Sequence, residues 1–312
     1  MKHPTSFNRR GDKIRWLAGC CLLIIPLTSG CFNPTPPPIA HAETTTPTTP
    51  PTPTTMPEPM LKPGWHRNLS VDGVPYDLYI PANYRSASLL VLPGWNYERT
   101  SWVDNTPLVD YADKYGSALI LPEMLVTLYE SAYYPETTLK WQPVPGGKFI
   151  KERLIPEIQK QHNLLLPGQD NTLLGLSTGG RGVALIALEN PGLFAAGASL
   201  SGDFSQENTP DDRLMTAVYG AFSQFPQRWR GRDNPQARSP EWIMPLYLAH
   251  GIDDDIVPES QSRLFYYALR RSRGDSIIVE YHAVPGAAHD YEFWGGQLPA
   301  VFEFFEKVKK SS

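Results

Sequence analysis

The sequence predicts an α/β fold with a mostly parallel central sheet covered by helices on both faces, and three observations carry that reading. Through about the last 250 residues, short and continuously apolar runs suited to buried strands alternate with stretches of helical periodicity. The stretch 171–180, Asn-Thr-Leu-Leu-Gly-Leu-Ser-Thr-Gly-Gly, compresses the end of one such strand, a forced turn at Ser177 and the start of a helix into ten residues. The same region holds no cysteine, since Cys20, Cys21 and Cys31 all precede it, so neither a disulfide nor a cysteine-ligated metal is available and packing must supply its stability.

Before that region, Lys2, Arg9, Arg10, Lys13 and Arg15 lead into an apolar run from Trp16 to Leu27 that is too short for a stable membrane span, the pattern of a secretory signal over residues 1–30. The run closes on Leu27-Thr28-Ser29-Gly30-Cys31, which resembles the lipobox after which bacterial lipoproteins are cleaved and acylated. Cys31 is therefore the expected lipidation site, and the chain is expected to be exported and anchored to a bacterial membrane, facing the periplasm or the exterior. Leu17-Ala18-Gly19-Cys20 fits the lipobox letters better, but almost no hydrophobic segment precedes it; Ala40-His41-Ala42 is an ordinary secretory cleavage site lying rather far from the apolar run. Proline and threonine dominate the rest of 31–60 without hydrophobic periodicity, so burial cannot offset the entropy of ordering and the segment reads as an extended tether. In polyproline II geometry it reaches on the order of 80 Å. Cleavage after residue 30 removes five of the 28 Lys+Arg and one of the 32 Asp+Glu, leaving 23 against 31 and a net charge of −8, so nucleic acid is not an expected partner.

Residues 61–312 read as one domain. His66–Val71 and Val74–Ile80 flank Asp72-Gly73, the pair a type I′ turn requires, and are expected as an antiparallel hairpin ended by Pro81. Strands follow at Leu89–Leu92 and Ala118–Leu121, separated by a helix at Leu108–Tyr115 that Gly116 stops; a tyrosine-rich loop then leads to a helix at Phe149–His162. The strand Thr172–Leu176 enters the Ser177 turn and a helix to Glu189, after which Phe194–Leu200, Leu246–His250 and Ile277–Tyr281 are strands, with helices at about Glu259–Arg271 and Leu298–Val308. Residues 203–241 lack clean periodicity and contain Pro210, Pro226, Pro235 and Pro240, which suggests a partly helical excursion, a cap or lid over Ser177.

In a sheet of this kind ligands collect at the carboxyl ends of the strands. A serine hydroxyl there is a poor nucleophile until a base takes its proton and a third group fixes that base's tautomer. Asp254, in His250-Gly251-Ile252-Asp253-Asp254-Asp255, follows one strand, and His289, in Gly286-Ala287-Ala288-His289-Asp290-Tyr291, follows the last, giving the Ser, Asp, His order of α/β-hydrolases. Taken singly, His289 reads equally as a loop surface residue and Asp254 as a helix cap. Gly175-Leu176-Ser177-Thr178-Gly179-Gly180, Leu193-Phe194-Ala195-Ala196-Gly197-Ala198-Ser199-Leu200-Ser201-Gly202 and His289-Asp290-Tyr291-Glu292-Phe293-Trp294 resemble the Putative esterase family of α/β-hydrolases, which includes esterase D and feruloyl esterases. The resemblance covers nearly all of the globular part and implies Ser177 as nucleophile, His289 as base and Asp254 as the orienting acid, with His250 structural and Asp203 the reserve acid. It also implies an oxyanion hole from the backbone N–H groups of Thr178 and Trp95, although Pro93-Gly94 stands where family members usually have His-Gly.

Trp95, Tyr97, Trp102, Tyr129, Tyr133, Tyr134, Trp141, Phe204, Trp229, Tyr291 and Trp294 crowd the loops expected near Ser177, either as surfaces for sugars or aryl acyl groups or as packing under long loops. No phosphate-binding glycine loop is present and the histidines lack metal-ligand spacing, so no cofactor is expected. The leading expectation is a serine esterase acting on a small-molecule or glycan ester. A serine peptidase of prolyl oligopeptidase type is the alternative suggested by Gly-x-Ser-x-Gly-Gly and His-Gly-x-x-Asp-x-x-Val-Pro, against which no propeller-sized segment precedes residue 61. An acyltransferase, in which a lid excludes water, and a non-catalytic glycan-binding lipoprotein complete the set. The last has no use for a complete Ser, Asp and His set.

Overall fold

The computed structural model describes residues 61–311; the signal segment, Cys31, the alternative cleavage sites and the tether to residue 60 lie outside the described residues. The chain opens with β1 (Gly64–Val71) and β2 (Val74–Ile80), which pair antiparallel through the expected turn, Asp72 and Gly73 both having positive φ at 50° and 80°. β3 (Ala87–Leu92), β4 (Ser117–Pro122), β5 (Asp170–Leu176), β6 (Ala196–Leu200), β7 (Leu246–Gly251) and β8 (Val279–Val284) complete an eight-stranded sheet of order β1-β2-β4-β3-β5-β6-β7-β8, parallel from β4 onward. β3, β4, β6 and β7 are buried along their whole length, as strands covered on both faces must be. The pleat divides the core: Leu90 and Leu92 of β3 face one layer, Leu89 and Val91 the other.

The first layer holds α3 (Gly146–Phe149) and α4 (Ile155–His162), joined by a π-helical turn at Ile150–Leu154, with α5 (Thr178–Glu189) and α8 (Ser260–Arg273). The second holds α1 (Ser101–Asn105), α2 (Leu108–Tyr115) and α9 (Tyr291–Ser311). The sixth strand starts at Ala196 rather than Phe194, the helix expected at Phe149–His162 starts at Gly146 and contains the π-helical turn, and two further elements differ more. β8 runs to Val284 rather than Tyr281; as an edge strand it is only half-buried, so its apolar letters mark it poorly. α9 starts seven residues before Leu298, because the Asp290 carboxylate caps the Phe293 N–H at 2.9 Å and buried Phe293 and Trp294 bind the first turn to the core despite Gly295, Gly296 and Pro299. Among the described residues no helix is long and apolar enough to cross a membrane.

Candidate active site

Because β3 to β8 run parallel, the residues that follow them share one edge of the sheet: Trp95 after β3, Ser177 after β5, Ser201 after β6, Asp254 after β7 and His289 after β8. Ser177 has φ 53° and ψ −125°, so the strained residue of the turn is the serine itself, at a cost of order 1–3 kcal/mol. Gly175 and Gly179 do not carry positive φ; they are required by close approach. A β-carbon on Gly175 would stand 2.1 Å from the Gly179 carbonyl oxygen, and one on Gly179 would stand 2.2 Å from that of Leu92. Strand and helix therefore press together tightly enough to force Ser177 out at their junction. Its N–H donates to the Leu200 carbonyl at 2.9 Å, which ties the turn to β6.

His289 Nδ1 lies 2.7 Å from Asp254 Oδ2. The other oxygen, Oδ1, accepts the N–H groups of Ile256 at 3.0 Å and Val257 at 2.8 Å. Burial alone would push the Asp254 carboxyl up, but hydrogen bonds from His250, His289 and the Val257 amide outweigh it and hold the group far below the usual carboxylate range. A carboxylate that stays ionised only accepts, so Nδ1 of His289 carries the hydrogen and Nε2 is left as the basic nitrogen of the neutral ring. The imidazole is braced from its side by Trp294, edge-to-face with centroids 4.9 Å apart, and Trp294 Nε1 donates to Ser201 Oγ at 3.1 Å. Ser201 adjoins the Leu200 carbonyl that holds Ser177, so one continuous set of contacts links the serine turn to the histidine. Asp203 is elsewhere engaged: its Oδ1 accepts from Arg181 Nη1 at 2.7 Å.

Gly94 rests on the serine turn, where a β-carbon would come within 3.2 Å of that of Ser177. Tyr129, fully buried, donates its hydroxyl to the Pro93 carbonyl at 2.8 Å, and Asn96 N–H bonds the Leu125 carbonyl at 2.9 Å, fixing this loop from both sides of Gly94 and Trp95. Thr178 N–H is the first of α5, where helical geometry supplies no partner, and among the described residues neither it nor Trp95 N–H meets an acceptor. Of the aromatic residues singled out in the sequence, Trp102, Tyr129, Trp141, Phe204, Trp229 and Trp294 are packing, whereas Trp95, Tyr97, Tyr133, Tyr134 and Tyr291 keep part of their surface exposed.

The segment 203–241 is held by a residue the sequence reading passed over. Arg181, fully buried one turn into α5, bonds Asp203, Gln206 Oε1 at 3.2 Å, Tyr219 OH at 3.2 Å and the Asp233 carbonyl, while Tyr219 OH donates to Asp233 Oδ2 at 3.3 Å. α6 (Arg213–Tyr219) and α7 (Pro226–Trp229) add a small core of Met215, Val218, Tyr219 and Trp229, with Leu128, against which Trp95 packs. The available signal was a lone cation in an otherwise apolar helix, which must find partners if that helix is buried. Among the described residues no group of three or more histidine, aspartate or glutamate side chains could hold a metal ion.

Fold and site geometry define an α/β-hydrolase. The family model described as Putative esterase matches residues 67–305, and the chain belongs to that family. Solved structures agree on the fold. An S-formylglutathione hydrolase from Agrobacterium tumefaciens is 16% identical, with a TM-score of 0.63 over 75% of this chain and 90% of its own. The fluorophosphonate-binding serine hydrolase F of Staphylococcus aureus is 19% identical, with a TM-score of 0.60 over 78% and 99%. A truncated carbohydrate esterase from gut microbiota is 15% identical, with a TM-score of 0.60 over 79% and 96%. No curated protein matches the chain.

Proposed function

We propose that this hydrolase of the esterase family is a serine esterase working through an acyl-enzyme, with Ser177 as nucleophile, His289 as general base and acid, and Asp254 as the group that orients and charges the base. The observation that carries the reading is the 2.7 Å contact between His289 Nδ1 and a buried, ionised Asp254, braced onto the same strand ends as the strained Ser177 turn. In the first half-reaction Ser177 Oγ bonds the ester carbonyl carbon as its proton passes to His289 Nε2; the carbon–oxygen bond to the alcohol then breaks, and the alcohol leaves with that proton. Water, deprotonated by the same nitrogen, attacks the acyl-enzyme and releases the acid, restoring Ser177. The charge on the tetrahedral oxygen falls to the Trp95 and Thr178 N–H groups, which are fixed in place and otherwise uncommitted.

The half-exposed rings of Trp95, Tyr97 and Tyr291 favour acylated sugars or aryl esters as substrates, which accords with likeness to a carbohydrate esterase. The 203–241 segment packs on Trp95 and acts as a cap that biases access. The leader makes the enzyme exported and lipid-anchored at Cys31. A fluorophosphonate probe tests the nucleophile: wild type should be labelled at Ser177, and a panel of p-nitrophenyl, feruloyl and acetylated-sugar esters should be turned over by wild type but not by Ser177→Ala. Labelling at any other residue, or full activity in Ser177→Ala, rejects the assignment.

A further inference from the structure

We propose that His250 is a positioning residue for Asp254: through Nε2–H it fixes the one carboxylate oxygen that receives His289, and so aims His289 at Ser177. The inference rests on the esterase reading of this site and adds a fourth residue to its machinery.

His250 lies near the end of β7 and is fully buried. Its Nε2 is 2.9 Å from the Val257 carbonyl oxygen and 3.2 Å from Asp254 Oδ2. A carbonyl only accepts, so Nε2 carries a hydrogen whatever the charge of the ring; that hydrogen is donated to the Val257 carbonyl, and its positive end lies against Asp254 Oδ2 as a close electrostatic contact. The other nitrogen, Nδ1, is 2.7 Å from Ser262 Oγ, a hydroxyl able to donate to it. Ser262 thereby selects the neutral tautomer that keeps the hydrogen on Nε2, bonded to the Val257 carbonyl and beside the aspartate, with no need for a buried positive charge.

Asp254 then has three hydrogen-bond donors on its two oxygens and a fourth N–H, that of His250, in electrostatic contact. The Ile256 and Val257 amides hold Oδ1; two imidazoles, His289 at 2.7 Å and His250 at 3.2 Å, meet on Oδ2. Three hydrogen bonds occupy most of the roughly four lone-pair sites of an ionised carboxylate and the His250 N–H faces the remainder, so the group cannot turn without losing a bond or this contact. The two ends are not equivalent. The amides belong to Asp254's own loop and would move with it, whereas His250 sits on the central sheet and refers Oδ2 to the rigid frame that also carries the Ser177 turn. Without His250 N–H, the carboxylate is free to swing about its Oδ1 bonds, Nδ1 of His289 follows Oδ2, and the opposite nitrogen drifts from Ser177. The loss falls on the chemical step, since His250 is buried and touches no substrate.

Three variants of the exported chain test this. His250→Leu fills the space without a donor, His250→Gln can place its amide N–H where Nε2–H was, and Ser262→Ala removes the group that selects the tautomer. On an activated ester, His250→Leu should lower kcat about 10- to 100-fold with KM unchanged, His250→Gln should recover most of it, and Ser262→Ala should fall between. Proton NMR should show the low-field His289 Nδ1–H signal in wild type and His250→Gln, displaced or lost to exchange in His250→Leu. Retention of kcat and of that signal in His250→Leu would overturn the proposal. Equal losses in the Leu and Gln variants would overturn it as well, because ring packing and not the N–H would then be what counts. Should wild type turn over no ester, the esterase reading falls while the NMR comparison still decides the role of His250.

Discussion

Asp254 lies within a run of three aspartates, and the structure separates them: Asp253 and Asp255 are exposed, while Asp254 turns inward to three hydrogen-bond donors and the His250 ring. Asp254→Asn should cost on the order of 10⁴ in kcat, by leaving His289 in the wrong tautomer with no charge to balance the imidazolium. Asp253→Asn and Asp255→Asn should be mild. Ser177→Ala and His289→Ala should each remove on the order of 10⁴ to 10⁶ in rate, since the three act as a unit. Steady-state kinetics on one activated ester ranks all five; near-wild-type turnover in Asp254→Asn would refute its role. The order Ser, Asp, His and the positions after strands were visible in the letters, because strand ends are where a parallel sheet gathers its ligands. The support was not visible: that Oδ2 serves two imidazoles, or that Tyr129 steadies the Pro93 carbonyl, depends on long-range packing across 36 residues in the second case.

At the scale of elements, what could be read was what local chemistry dictates. Asp72-Gly73 specified its hairpin and Gly116, at φ 68°, stopped α2 where expected. The start of α9 was hidden because glycines and a proline in it read as breakers, while its stability comes from Phe293, Trp294, Leu298, Val301 and Phe302 buried against the sheet. The 203–241 segment lacked clean periodicity for a related reason: its apolar stripe is only one short helix long, Met215, Val218 and Tyr219, and a buried guanidinium organises the rest. Arg181→Met should therefore destabilise the protein by about 3–5 kcal/mol, since it leaves Asp203 and Asp233 buried without their cation. Equilibrium denaturation measures this, and a loss under 1 kcal/mol would show that the arginine does not anchor the segment. Because Trp95 packs on the small core of this segment, Phe222→Ala at its edge should alter relative rates across an ester panel more than it alters the melting temperature. Unchanged relative rates would mean that the segment is not a lid.

Taken as a whole, the domain is also tied from α5 to the segment after it by a carboxylate, Glu189, that receives Lys151 at 3.1 Å, Arg238 at 2.9 Å and Arg232. Burial raises its pKa, but the hydrogen bonds from Arg232, Lys151 and Arg238 overcome this and bring it down to about 2. A depressed carboxylate stabilises the fold fully above its unfolded pKa, about 4.5, and loses that contribution as pH falls toward 2. Glu189→Gln should accordingly lower the melting temperature at pH 6 and show a flatter decline than wild type between pH 4.5 and 2. Parallel curves for the two proteins would count against the ion cluster. Outside this domain, the Pro/Thr-rich stretch and the Leu27 to Cys31 pattern concern where the enzyme works. A net charge of −8 on the processed chain would repel an anionic membrane surface, so a lipid at Cys31 and a tether of on the order of 80 Å would hold the catalytic domain near the membrane yet clear of it. Expressed in a bacterium, wild type should partition with membranes and carry acyl chains on intact-mass analysis, and Cys31→Ser should do neither. A mature N-terminus at Glu43 without acyl chains would instead establish cleavage after Ala42 and a freely secreted enzyme.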